Sequence, residues 1–442
     1  MKSMRVLLGA AMVLSLVSIM TGSALAVSTY TAGFQVQNLT GTAANVVISY
    51  YNQDGTKNVA DVPDTIPANG SKTYYPVAAN SGFNGSVVVS SDQKVAAIAN
   101  ILGDSGASGA AYDGSSVGGT TLLIPLVMKA NSGYNTWFNV QNTGATDATV
   151  NVTYSDGVTA SSVVKPGAAA TFNQASEAHA AGFVGSATIA STQPVAAAVM
   201  EVGTSILFAF SGVPSGATSP VMPLINANNG GYVTGVQIQN AGTLTTTVTV
   251  SYKGSTGLDT DCTETQDIPA GKSKTFALWA FHYWPPPAGV TRTCTPGARF
   301  VGAAKVTANS ASQPLVAIVN QLGATAGEAY NAFDPAAATN VVVMPLIMDR
   351  NSGYYTGFSI MNVGSTATSV NCTFDNSPVT VSSASLAPGE ALVDIVNGKI
   401  ASGYVGSAVC TADAGGSIIG VVNESSTASG RDNLLVYEGI NN

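Results

Sequence analysis

Side-chain catalysis needs a nucleophile or a proton carrier held by partners, and this chain offers few: His179, His282 and four cysteines. The two histidines lie far apart, and neither falls in a motif. There is no G-x-S-x-G elbow, no H-E-x-x-H and no glycine-rich loop leading a helix. Carboxylate-pair hydrolases have no fixed spacing, yet degenerate copies of a small β-module make a poor host for one. The chain therefore reads as non-enzymatic, with no catalytic, cofactor or metal residues assigned and no cofactor expected. Asp259, Asp261, Glu264 and Asp267 could offer oxygens to Ca²⁺, but their spacing matches no EF-hand loop, and a solvated turn is the reading taken.

The outstanding local feature is WAFHYWPPP at 279–287, which holds two of the three tryptophans. From Tyr252 to Gly302 is 50 residues, whereas the matching stretch from Tyr154 to Gly185 is 31, so this copy carries about 19 extra residues. Cys262 and Cys294 bracket the insertion and are expected to clip it. Flat π faces give a large contact area at small entropic cost. Trp279, Phe281, His282, Tyr283 and Trp284 are thus candidate ligand-binding residues, the alternative being rings that fold back against the protein's own body.

What must position these residues is a repeat. PLVMKANSGY at 125–134 recurs as PLINANNGGY at 223–232 and PLIMDRNSGY at 345–354. Each is followed by a strand ending in Asn-x-Gly: FNVQNTG at 138–144, VQIQNAG at 236–242 and FSIMNVG at 358–364. A first copy joins at FQVQN, 34–38, without the Pro-Leu strand. An aromatic-x-Gly follows in each copy (Phe83, Phe183, Phe300, Tyr404), with the aromatic expected in the core. An apolar strand with one polar residue near its end comes next (Asn100, Glu201, Asn320, Asn423), that residue expected to bond a loop backbone.

Alternation at 149–154, with Val150, Val152 and Tyr154 on one face, marks half-buried strands. Turns such as Asp156-Gly157 and Pro166-Gly167 separate the runs. The 98 residues from Pro125 to Pro223 suit an immunoglobulin-like sandwich. Alignment puts Cys372 on Val152 and Cys410 on Ile189, two inward positions on different strands. They predict a cross-core disulfide worth roughly 3 to 4 kcal/mol. The other copies hold Ile48 with Val89 and Val250 with Val306 at those places.

Segments such as NTGATDATVNV at 142–152 and NVGSTATSVNC at 362–372 resemble the immunoglobulin-like repeats of prokaryotic cell-surface and extracellular proteins, including adhesion-type modules. The resemblance implies a fold and a location and transfers no site residues. The expected architecture is all-β: a signal peptide at 1–26, then four tandem β-sandwich modules at 27–118, 119–215, 216–337 and 338–442. The first module lacks its opening strand.

The signal is read from Lys2 and Arg5, the apolar run 6–20 and the small-x-small site at Ala24 and Ala26. Without Lys2 and Arg5 there remain 14 basic residues against 24 acidic ones, a net charge near −10. Nucleic acid and anionic lipid are poor partners for such a chain. Charged residues make up 9% and hydrophobic ones 45%, which argues against disorder. The cysteine count is even and fits an oxidising compartment.

These features predict a secreted, cell-surface-associated structural protein with no membrane span in the mature chain. Its expected partners are copies of itself or other surface proteins, joined through the edge left open in the first module. The alternative is an adhesin or polysaccharide binder that uses the aromatic loop.

Overall fold

The structure is a computed structural model that describes every residue except 1–10, 16–28, 256–258, 427–431, 433 and 442; for 11–15 it describes the backbone alone. The start of the expected leader and its cleavage site therefore lie outside the described residues.

The fold is all-β, built from antiparallel sheets. The strand Ala148–Tyr154 shows why: Ala148, Val150, Val152 and Tyr154 are buried while Thr149, Asn151 and Thr153 are exposed. That period of two lets one face enter a core while the other stays wet. Among the described residues the helices are one α-turn, Leu278–Phe281, and one 3-10 turn, Pro335–Ala337. No helix among them is long and apolar enough to cross a membrane.

The strands fall into four successive groups with one pairing plan. In the fourth, Thr380–Ser382, Val370–Phe374, Tyr404–Ala412, Val341–Asp349 and Ile440–Asn441 form one sheet; Ala391–Ile395, Tyr354–Asn362, Ile418–Ser426 and Leu434–Glu438 form the other. Side chains from both sheets share a core in which Phe358, Ile360, Cys372 and Cys410 are buried. The second group runs its two sheets together through the 20-residue strand Phe183–Val202.

The repeated motifs explain themselves in this frame. Asn142 is fully buried; its Nδ2 donates to the carbonyls of Thr146 and Val164 at 2.8 Å each, and its Oδ1 accepts from Gly144 N at 2.8 Å. Asn240 and Asn362 make the same three bonds, so Asn-x-Gly is a buried clamp on a turn. In aromatic-x-Gly the ring folds over the glycine two residues on: a Cβ at Gly185 would lie 2.7 Å from the Phe183 ring and 2.1 Å from Ser155 Oγ. Phe300, which stacks on Phe281 of the insertion, is buried as expected, while Phe83, Phe183 and Tyr404 are half-buried.

The four groups are not strung out in a line. Their last strands, Ser108–Asp113, Leu207–Ser211, Gly327–Asn331 and Leu434–Glu438, pack first on second, second on third, third on fourth and fourth on first. Each is the edge of its own sheet, so closing the ring covers four edges at once. Carboxylates satisfy amides that no strand ladder reaches. Glu328 accepts from Ala209 N at 2.6 Å and from Ala111 N at 2.8 Å, and Asp432 accepts from Leu207 N at 2.7 Å and Gly327 N at 2.9 Å. Each group's core also takes in side chains of a neighbour: Trp137, Met200 and Leu207 join the first group's core, Ala329 the second's, Val436 the third's and Ile98 the fourth's.

Two expectations are corrected. Cys372 and Cys410 are bonded, but they are directly opposed neighbours on paired strands of one sheet, not a bridge across the core. Ile48 with Val89, Val152 with Ile189, and Val250 with Val306 are opposed in the same way. Both residues of each pair face inward because paired positions in a sheet share a face. The recurring polar residues, for their part, bond to side chains of the adjoining group and not to a loop backbone.

The slot beside Gly85–Ser91 is taken by Ala11–Ser15, with Met12 opposite Val89 and Leu14 opposite Val87. In the second and fourth groups the corresponding places belong to Leu122 and Ile124, and to Val342 and Met344. The described N-terminal strand thus sits where a Pro-Leu strand sits elsewhere.

Candidate functional site

Strand pairing gives the site its coordinates. Gly33 opposes Asn100, Trp137 opposes Met200, Gly235 opposes Asn320 and Gly357 opposes Asn423. The next residue along the second strand of each pair is Ile101, Glu201, Gln321 or Glu424. Glu201 therefore stands one position beyond Asn100, Asn320 and Asn423, with which the sequence pattern aligns it; Met200 is their true counterpart. The second group has methionine where the others have asparagine, so matching polar residues picks out Glu201 instead.

Each interface of the ring joins the first position of one group to the second position of the group before it. Asn320 Nδ2 donates to Glu201 Oε2 at 2.8 Å, and Asn100 Nδ2 donates to Glu424 Oε2 at 3.4 Å. Asn423 and Gln321 exchange two amide bonds of 3.1 and 3.3 Å. Between the first and second groups the pair is apolar, with Ile101 and Met200 sharing a core.

The same four interfaces differ in what fills them. Trp137 is 4% exposed and packs into the first group's core, which plugs the first interface. The other three groups have glycine at that position, and a cleft opens at each of their interfaces. The cavity volume is about 530 Å³ between the second and third groups, about 200 Å³ between the third and fourth, and about 330 Å³ between the fourth and first. A Cβ on Gly235 would meet nothing within 4 Å.

The largest cleft is mostly apolar, walled by Leu126, Tyr134, Phe208 and Ile318, with Glu201 and Asn320 inside it. Glu201 is 1% exposed, and its Oε1, like Asn320 Oδ1, has no hydrogen-bond partner. Burial raises the Glu201 carboxyl to about 8, against which the Asn320 bond pulls it down. Glu424 is raised to about 8 in the same way, with Asn100 opposing. Tyr134 rises to about 12 through burial and then through the negative field of Glu201 and Asp432.

The aromatic insertion divides between roles. Phe281 is buried against Tyr252 and Phe300. Trp279 and Tyr283, their rings 4.7 Å apart, line the rim of the largest cleft. Trp284 is 75% exposed with the Arg292 guanidinium 5.3 Å from its ring, a cation–π distance. His282 is exposed. The disulfide Cys262–Cys294 clips the insertion.

The remaining polar candidates take separate partners. Asp259 pairs with Arg299 at 2.8 Å, Asp261 with Lys253 at 2.9 Å and Asp267 with Thr247 at 2.7 Å; Glu264 is buried against Tyr252 and Ala277 N. Among the described residues no group of three His, Cys, Asp or Glu side chains is placed to hold a metal ion. His179 is buried with both ring nitrogens engaged, Nδ1 with Asp156 at 2.7 Å and Nε2 with Gln174 at 2.9 Å. No family model and no curated protein matches this chain.

Sequence reasoning missed Glu424, Gln321, Gly235 and Trp137 as parts of one recurring site. Gly235 and Trp137 both stand one residue before the aligned Asn-x-Gly strand, but only the structure shows that this place faces the neighbouring group.

Proposed function

We propose that the chain is a secreted, non-catalytic structural protein of four immunoglobulin-like modules that joins other copies of itself at a cell surface through a β-strand edge. The observation that carries this reading is the pairing of Ala11–Ser15 with Gly85–Ser91. The paired segment lies inside the stretch that reads as a removable leader. Once the leader is cleaved, the first module has an open edge and an uncovered strip of Val87 and Val89, and a strand from a second copy fits both. The two disulfides accord with an oxidising compartment.

The test is the chain beginning at Val27, studied by light scattering and electron microscopy over a range of concentrations. Association that a synthetic peptide of Gly119–Lys129 blocks supports the reading. A monomer at high concentration whose Gly85–Ser91 amides resist hydrogen exchange overturns it.

A second reading, an adhesin or polysaccharide binder, is favoured by one observation: Trp284 and Tyr283 are 75% and 48% exposed on a disulfide-clipped loop. Tryptophan fluorescence that responds to a soluble glycan, and no longer does so in Trp284→Ala, would support it.

A further inference from the structure

We infer that the cleft between the second and third strand groups is a binding site for a primary ammonium group carried on an apolar or aromatic body. The inference stands apart from strand-edge assembly, since the cleft lies within one chain.

Three features define the ligand. First, the two unpartnered polar atoms in the cleft, Glu201 Oε1 and Asn320 Oδ1, are both oxygens, and their residues are held together by the 2.8 Å bond between them. Buried polar atoms without partners are rare in folded proteins; here they sit in the wall of a cavity, where a donor can reach them. A group with several N–H donors and a positive charge answers both oxygens at once.

Second, no lysine, arginine or histidine lines the cleft. An anionic head would meet a carboxyl and no countercharge. Third, the rest of the lining is apolar and aromatic, with Tyr134, Phe208, Trp279 and Tyr283 offering ring faces. Such faces favour a flat or aliphatic body and attract a cation. A volume of about 530 Å³ suits a small molecule.

The third interface shows the contrast. There Gln321 replaces the acid, and its amide and that of Asn423 satisfy one another; that cleft has no unpartnered acceptor pair to offer.

The experiment is isothermal titration of the whole chain with 2-phenylethylamine, 2-phenylethanol and 3-phenylpropionate, which share a ring and differ in the head group. The amine should bind at least ten times more tightly than the alcohol or the acid. Glu201→Gln, which keeps an acceptor for Asn320, should weaken the amine at least tenfold and leave the alcohol unchanged. In a Glu424→Gln background, which removes the like pair of unpartnered oxygens, Glu424 Oε1 and Asn100 Oδ1, between the fourth and first groups, Gly235→Trp places in this cleft the plug that Trp137 supplies in the first interface and should abolish binding of the amine. Equal affinity for amine and alcohol, no binding of the amine, or full amine binding by Glu201→Gln overturns the assignment. If Gly235→Trp does not fold, the head-group series and Glu201→Gln decide the matter alone.

Discussion

Trp137 and Gly235 hold the same register position in neighbouring strand groups, and the indole at one closes an interface that the missing side chain at the other leaves open. The ring is therefore assembled from one repeated contact, made four times in three chemical versions. One is apolar and plugged, one is an amide pair, and two carry a buried acid.

Replacing Trp137 with glycine should open the fourth cleft. The lost burial and the cavity together are worth about 3 to 5 kcal/mol, and urea unfolding would show the unfolding free energy fall by that amount. A change under 1 kcal/mol would mean that the first and second groups do not depend on the plug.

Glu328 holds the amides of Ala111 and Ala209 from two other groups. Glu328→Ala strands both buried N–H groups, at a cost of about 2 to 5 kcal/mol in total. Glu328→Gln keeps one acceptor and should fall between. Equal stability of Glu328→Ala and the parent chain would remove the carboxylate from the ring's closure.

Stability should depend on pH in a defined direction. Burial raises Glu201, Glu424 and Asp432 to about 8 and Glu438 to about 7. Each therefore keeps its proton in the folded chain after the unfolded chain has lost it. The associated stability is full below the unfolded values of 4.5 for Glu and 3.8 for Asp and is lost as pH rises through about 7 for Glu438 and about 8 for the other three. The slope is about 1.4 kcal/mol per pH unit for each extra proton retained. Asp349 works in the opposite sense: Arg350 and the amides of Gly398 and Ile400 hold its carboxyl below 3.8, despite burial, so its contribution disappears in stronger acid. Thermal unfolding should show greatest stability in mild acid, near pH 5, and Glu201→Gln should flatten the decline toward pH 8.5. A melting temperature that climbs steadily from pH 5 to 8.5 contradicts this.

The disulfide Cys372–Cys410 closes a separation of 38 residues and should contribute roughly 3 to 4 kcal/mol. The double substitution Cys372→Val and Cys410→Ile copies the Val152–Ile189 pair. It should leave the fold unchanged by circular dichroism while lowering the denaturation midpoint. Collapse of the fourth group would show that the bond is required there for folding as well as stability.

Much of the fold was legible because it is local. The alternation of Val150, Val152 and Tyr154 and the inward facing of Ile48, Val89, Val250 and Val306 follow from strand period and repeat spacing, whereas the clamp of Asn142 on its turn and the in-register opposition of those pairs needed the structure. The aromatic insertion was legible as an insertion, though not the division of labour that buries Phe281 and leaves Trp284 exposed.

By itself, the sequence determined the strands' alternation, the repeat and the pairing of the four cysteines, because period and turn residues act over short distances; that Cys372 and Cys410 are opposed neighbours in one sheet was decided by the strand register. Only the tertiary structure decided that the repeats close into a ring, since the contacts that close it join residues as far apart as Asn100 and Glu424, 324 positions away. Such contacts leave no local pattern. The clefts and the pairing of Glu201 with Asn320 are consequences of that closure.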